Sequence, residues 1–116
     1  WNKVINLNLN VNYRLIRSFE PLLKISEGAD VVFVSDTKNK KLDPYWGAYN
    51  ISKLGLEALI KTWEKEINLT NIKAHIFNPL DMDTQLRSSF MPGERNKNLK
   101  NPAEMANLLT NLIRRN

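Results

Sequence analysis

Two short apolar runs separated by one long helical stretch constrain this chain more than any other feature of its sequence. Residues 31–35 and 72–77 are rich in the β-branched and aromatic side chains that favour strands. Between them, apolar residues recur at helical spacing over 46–67. This order predicts two parallel strands joined by a right-handed crossover. A last helix is predicted from Asn101, because Asn followed by Pro102 is typical of a helix start.

The first part of the chain allows two interpretations. Residues 4–13 alternate apolar and polar side chains, which by itself predicts a strand. From Leu15 to Leu23 the apolar residues have helical spacing instead. The local pattern therefore predicts a strand followed by a helix.

The two predicted strands leave an incomplete sheet. The run at 31–35 is continuously apolar until Ser35, so we expect it to be buried on both faces. A sheet of two parallel strands with both edges open is not a stable unit. We therefore expect other strands to complete it.

Composition excludes several classes of protein. The chain has 116 residues, no Cys and one His, so disulfide scaffolds, thiolate sites and histidine-based metal sites are excluded. The net charge of +5 comes from dispersed basic residues, and we expect no nucleic-acid partner. No apolar run is long enough to cross a membrane, and no signal sequence opens the chain, so we expect a soluble cytoplasmic protein.

The residues with the clearest chemical potential are Tyr49 and Lys53. They are four positions apart, so on a helix they share one face. An ammonium group near a phenol favours the phenolate, and such a Tyr can exchange a proton near neutral pH. A Tyr–Lys pair without function on a helix surface has the same spacing, so the spacing alone does not establish a functional site.

The context resembles the short-chain dehydrogenase/reductase family. The residues Val32-Phe33-Val34-Ser35 precede Trp46-Gly47-Ala48-Tyr49, Lys53 follows, and Asn78-Pro79 ends the next strand. The opening Trp1-Asn2-Lys3-Val4-Ile5-Asn6-Leu7-Asn8-Leu9 is similar to the start of the family's fifth helix, with Asn8 forty-one positions before Tyr49. The resemblance therefore implies that residues 1–26 are mostly helical, against the local alternation.

The resemblance also implies a role for each matching residue. Tyr49 would exchange a proton with a substrate carbonyl or alcohol, and Lys53 would hold the nicotinamide ribose and lower the pKa of Tyr49. Asn8 would hold a relay water through its backbone. Asn78, Pro79 and Thr84 would lie against an NAD or NADP cofactor.

Two positions depart from the family pattern. The family's catalytic Ser stands thirteen residues before the Tyr, where this chain has Asp36. A shift of one residue in the loop would bring Ser35 or Thr37 to that place. If Asp36 occupies it, the carboxylate accepts hydrogen bonds only and opposes the effect of Lys53 on Tyr49. Leu80 stands where the family has a Gly after Asn-Pro, and it would crowd the nicotinamide.

The sequence thus predicts an α/β fold, a partial Rossmann-like domain with the order helix-strand-helix-strand-helix over residues 1–116. The Gly-rich cofactor-binding half and the last strand of the family are not among these residues. One interpretation is the catalytic half of an oxidoreductase, inactive without a separate chain that carries the cofactor half. The alternative is a non-catalytic module that forms homo-oligomers through helices near 8–25 and 46–67. The sequence does not identify a substrate.

Overall fold

The computed structural model describes residues 1–36, 42–78 and 101–114. Its first helical stretch comprises α1 (Asn2–Ile5), a π-helical segment (Asn6–Asn10) and α2 (Val11–Ile25). Strand β1 (Ala29–Val34), helix α3 (Gly47–Glu66), strand β2 (Ile72–Phe77) and helix α4 (Pro102–Arg114) follow. The helical start implied by the family resemblance is confirmed, and the strand predicted there from local alternation is wrong.

Strands β1 and β2 form a two-stranded parallel sheet. Their register pairs Ala29 with Ile72 and Val34 with Phe77. One backbone hydrogen bond continues past the ladder, since the Ser35 N–H donates to the Phe77 carbonyl at 2.9 Å. The prediction of two parallel strands separated by a helix is confirmed.

One face of the sheet carries the core. Phe33 is buried there, and its ring meets the Trp63 ring edge-on with centroids 6.2 Å apart. Helix α3 also buries Leu56 and Ile60, and each such side chain contributes about 1.5–3 kcal/mol by leaving water. Helix α3 contacts both the first helical stretch and β2.

The opposite face of the sheet is not buried in the same way. Side chains alternate along a strand, so Asp30 and Val34 point away from the core, and Val34 is 51% exposed. The prediction that this strand is buried on both faces is therefore wrong. The only histidine, His75, lies on β2 and contacts the Asp30 carboxylate on β1 at 2.8 Å, so it links the two strands.

The chain divides into two compact units, residues 1–78 and residues 79–116. In the second unit, the Asn101 side-chain oxygen accepts a hydrogen bond from the Ala103 N–H at 2.8 Å, which confirms Asn101 as the cap of α4. The assignment of residues 1–116 to one partial domain stays a prediction. Among the described residues, no helix is both long and apolar enough to span a bilayer.

Candidate active site

A tight turn sets the start of the helix that carries the candidate site. The Trp46 N–H donates to the Asp43 carbonyl at 3.4 Å, with Pro44 second in the turn. The third residue, Tyr45, has a φ of 72°, as a type II turn requires. Helix α3 begins immediately afterwards, so Tyr49 lies in its first turn.

Tyr49 and Lys53 share one face of α3, as their spacing predicts. The Lys53 Nζ lies 5.8 Å from the centroid of the Tyr49 ring. Burial lowers the pKa of Lys53 below its ordinary value of 10.5, and the Asp36 carboxylate opposes that shift. The Trp46 ring packs edge-on against the Tyr49 ring, with centroids 5.4 Å apart. The Tyr49 ring thus contacts an indole and lies near an ammonium group.

The hydroxyl of Tyr49 is directed to Asp36. Its Oη donates a hydrogen bond to Asp36 Oδ2 at 2.8 Å. Asp36 follows the end of β1 and is exposed to solvent. The carboxylate, rather than a hydroxyl, therefore stands beside the phenol. Thr37, the other candidate for this place, lies outside the described residues.

Ser35 has a different environment from Asp36. Its side chain is 1% exposed, and in the described part of the chain its Oγ has no hydrogen-bond partner. Its backbone N–H is used in the sheet. The structure therefore brings Asp36, and not Ser35, into contact with Tyr49.

Asn8 connects the π-helical segment to the backbone of Tyr49. Asn8 Nδ2 donates to Ser52 Oγ at 3.1 Å, and Ser52 Oγ donates to the Tyr49 carbonyl at 2.7 Å. Ser52 is fully buried, and Asn8 and Tyr49 are partly buried. π-Helical turns are frequent at functional sites, and this one places Asn8 one hydrogen-bonded step from α3.

The carbonyl of Asn8 has a protein partner. Asn12 Nδ2 donates to it at 2.8 Å. Sequence reasoning missed both Asn12 and Ser52. Their positions, four after Asn8 and three after Tyr49, are the only signal that points to them.

Asn78 directly follows β2, and the hydrogen bond from Ser35 to Phe77 places the ends of both strands at the same edge of the sheet. Ligands bind at this carboxyl edge in open parallel sheets. Pro79, Leu80 and Thr84, predicted to lie near a cofactor, fall outside the described residues.

A parallel sheet with a Tyr–Lys pair near its carboxyl edge is the arrangement that the resemblance to the short-chain dehydrogenase/reductase family implies. The sequence profile of the short chain dehydrogenase family matches residues 1–95. The chain belongs to the short-chain dehydrogenase/reductase family.

Individual relatives agree with this assignment. The Escherichia coli oxidoreductase YciK is 30% identical over 105 residues, which are 90% of this chain and 41% of that protein. A short chain dehydrogenase from Salmonella enterica serovar Typhi superposes with a TM-score of 0.83 at 29% identity, over 94% of this chain and 45% of the other. A short chain dehydrogenase from Escherichia coli CFT073, crystallised with NADPH, gives a TM-score of 0.82 at 29% identity, again over 94% and 45%.

The present chain therefore spans less than half the length of the relatives it matches. Its two parallel strands and flanking helices correspond to part of their Rossmann-like fold, as the sequence predicts.

Proposed function

We propose that this chain forms the proton-exchanging part of a nicotinamide-dependent oxidoreductase. Tyr49 exchanges a proton with a substrate alcohol or carbonyl, and Lys53 positions the nicotinamide ribose. A bound NAD or NADP would accept or supply the hydride. The observation that carries this proposal is the position of Lys53 Nζ beside the Tyr49 ring, at 5.8 Å from its centroid.

The described side chains fit one end of such a nucleotide. Lys53 has three N–H donors on a half-buried stem, which suits a ribose diol. Asn78 adds a carboxamide at the same sheet edge. In residues 1–36, 42–78 and 101–114 there is no glycine-rich turn to bind a pyrophosphate. We therefore expect the 116-residue chain to be inactive without the remainder of the fold.

The proposal is tested with the two halves of the cofactor. Nicotinamide mononucleotide and adenosine monophosphate are titrated separately into the 116-residue chain, and amide signals are followed by NMR. We expect nicotinamide mononucleotide to shift the signals around Lys53 and adenosine monophosphate to leave them unchanged. Lys53→Ala should abolish the shifts. Lys61→Ala is the control, since Lys61 is on the same helix but pairs with Glu57 at the surface. Equal binding of both nucleotides, or no effect of Lys53→Ala, contradicts the proposal.

Exposed apolar side chains support a second proposal, that two copies of the chain associate through their helices. Leu7 and Tyr13 are 66% and 49% exposed on the first helical stretch. Ile51 and Leu54 on α3 are 50% and 40% exposed. The first helical stretch packs on α3, and exposed apolar side chains on both elements are a feature that marks interfaces.

Sedimentation velocity over a range of concentrations tests this association. We expect the wild-type chain to form a dimer or tetramer and Ile51→Glu to shift it towards monomer. Leu69→Glu is the matched control, because Leu69 is 96% exposed in a turn outside the helices. A monomer at all concentrations contradicts the second proposal.

The outer edge of β1 supports a third proposal, that a separate chain pairs with this edge. Ala29 and Ser35 donate their N–H groups towards β2, so alternation directs the N–H groups of Val32 and Val34 outward. No described strand pairs with that edge.

Hydrogen exchange tests this proposal. Exchange should be fast at Val32 and Val34 and slow at Val31 and Phe33. A partner that adds a strand should slow the first pair, and uniform protection in the isolated chain contradicts this idea.

A further inference from the structure

We infer that Asp36 makes this site selective for substrates that present a hydrogen-bond donor, an alcohol or an ammonium group, over substrates that present a carbonyl oxygen. The inference rests on the proposed oxidoreductase function and narrows its substrate class.

The hydrogen bond between Tyr49 and Asp36 determines which hydrogen-bonding groups the site presents to a substrate. The Tyr49 proton is directed to Asp36 Oδ2 at 2.8 Å. An ionised carboxylate accepts hydrogen bonds and donates none. A carbonyl oxygen is also only an acceptor, so it must displace Asp36 from Tyr49 before it receives a proton. A hydroxyl or ammonium group can donate to the carboxylate while this bond remains intact.

The charges around the carboxylate set the size of the preference. Asp36 is exposed, so water screens its attraction for a cation. Lys53 carries the opposing charge and is electrostatically coupled to Asp36. An exposed charge pair of this kind corresponds to a preference of about two- to fivefold. The selectivity is therefore modest and is best measured with otherwise identical probes.

The same pair gives the proton a complete path when the substrate is an alcohol. When the alcohol donates to the Tyr49 oxygen instead of to the carboxylate, its O–H proton passes to that oxygen while the Tyr49 proton passes to Asp36 Oδ2. An oxidised nicotinamide held by Lys53, as in the proposed function, would supply the acceptor for the C–H hydride of the alcohol, so that the two-electron oxidation to a carbonyl balances. Because Asp36 is exposed, its carboxylic acid then releases the proton to water.

Three six-membered rings that differ in one group test the selectivity. Cyclohexylammonium, cyclohexanol and cyclohexanone are titrated into the 116-residue chain, and the signals of Asp36 and Tyr49 are followed by NMR. We expect the ammonium to bind about two- to fivefold more tightly than the ketone. The alcohol, which donates a hydrogen bond without a charge, should also bind more tightly than the ketone. Asp36→Ser should remove or reverse this order, because a Ser hydroxyl can donate to the ketone. Asp36→Asn, close to isosteric, should remove the preference for the ammonium.

Asp43→Asn is the control, because Asp43 is an exposed carboxylate in the turn before α3 and has no described contact with the Tyr49 hydroxyl. It should leave the order unchanged. Tighter binding of the ketone to the wild-type chain, an unchanged order in Asp36→Ser, or no response at Asp36 and Tyr49 to any probe overturns the inference. The experiment uses no nucleotide, so a failure of nicotinamide mononucleotide to bind is a separate result that bears on the proposed function alone.

Discussion

The phenol of Tyr49 donates a hydrogen bond of 2.8 Å to the carboxylate of Asp36, thirteen residues earlier in the chain. The family resemblance implies a Ser hydroxyl at this place. An exposed carboxylate in its position leaves the site with an acceptor and a negative charge beside Tyr49 and Lys53. The pair therefore departs from what the resemblance implies, whereas Tyr49 and Lys53 match it.

Asp36 should influence the titration of Lys53 directly. Burial lowers the pKa of Lys53, and the Asp36 carboxylate partly restores it. Asp36→Asn removes the restoring charge, so the pKa of Lys53 should fall further. The Cε chemical shift of Lys53, followed by NMR against pH, measures this change. The Lys61 signal should not move between the variants, and an unchanged Lys53 midpoint would show that the two groups are not coupled.

The same shift predicts how stability depends on pH. Because the pKa of Lys53 is lower in the folded chain than in the unfolded chain, the unfolded state binds more protons between the two values. The cost of charging Lys53 is fully present below its folded pKa and disappears as pH rises towards 10.5. Relative to Lys53→Met, the wild-type chain should therefore become more stable as pH rises through this window. Urea unfolding of both proteins at a series of pH values measures the difference, and a constant difference contradicts the prediction.

Ser52 should matter for stability and for the position of Asn8. Its buried hydroxyl accepts from Asn8 and donates to the Tyr49 carbonyl. Ser52→Ala leaves the Asn8 carboxamide without this acceptor, so we expect a loss of about 1–3 kcal/mol in the free energy of unfolding. Chemical denaturation gives the value. Thr62→Ala is a control on the same helix, because the exposed Thr62 hydroxyl bonds the carbonyl of Ala58 one turn earlier. Equal losses of unfolding free energy in the two variants would show that the hydrogen bonds of Ser52 contribute no more to stability than that of Thr62.

Gly55 should be restricted by the close approach of the π-helical segment to α3. A Cβ at this position would lie 3.2 Å from Leu9 Cδ2. Gly55→Val adds two methyl groups beyond that Cβ, and overpacking of this kind costs about 1–3 kcal/mol. Thermal unfolding should show a lower midpoint for Gly55→Val. Gly47→Ala provides the comparison, because a Cβ there meets nothing within 4 Å and its midpoint should not fall. A midpoint for Gly55→Val at or above that of the wild type contradicts the packing.

Much of the fold follows from local sequence patterns. The run at 72–77 forms a strand with those bounds, and Asn101 caps the last helix. The conformation of the first thirteen residues does not follow from their local pattern. Alternation over 4–13 predicts a strand, yet Leu9 packs into the core from a helix. The packing of this segment on α3, rather than its own pattern, decides its conformation, and only the family resemblance anticipates it.

Some features of the candidate site also follow from local sequence, and others do not. The spacing of Tyr49 and Lys53 predicts their shared face, because helix geometry is local. Whether Ser35 or Asp36 faces Tyr49 depends on the direction in which the chain leaves β1. A shift of one residue exchanges the two side chains, and the sequence does not specify that shift. The bridge through Ser52 joins residues forty-four positions apart, so no local pattern contains it.

The most direct test of the proposed catalytic role is saturation-transfer difference NMR of NADPH with the 116-residue chain. If Tyr49 and Lys53 bind the nicotinamide end, saturation should reach the nicotinamide and its ribose protons and should be weak at the adenine protons. Lys53→Ala should abolish this pattern, and Lys61→Ala should preserve it. Saturation that is stronger at the adenine, or that is unaffected by Lys53→Ala, would contradict the assignment of this site to a nicotinamide nucleotide.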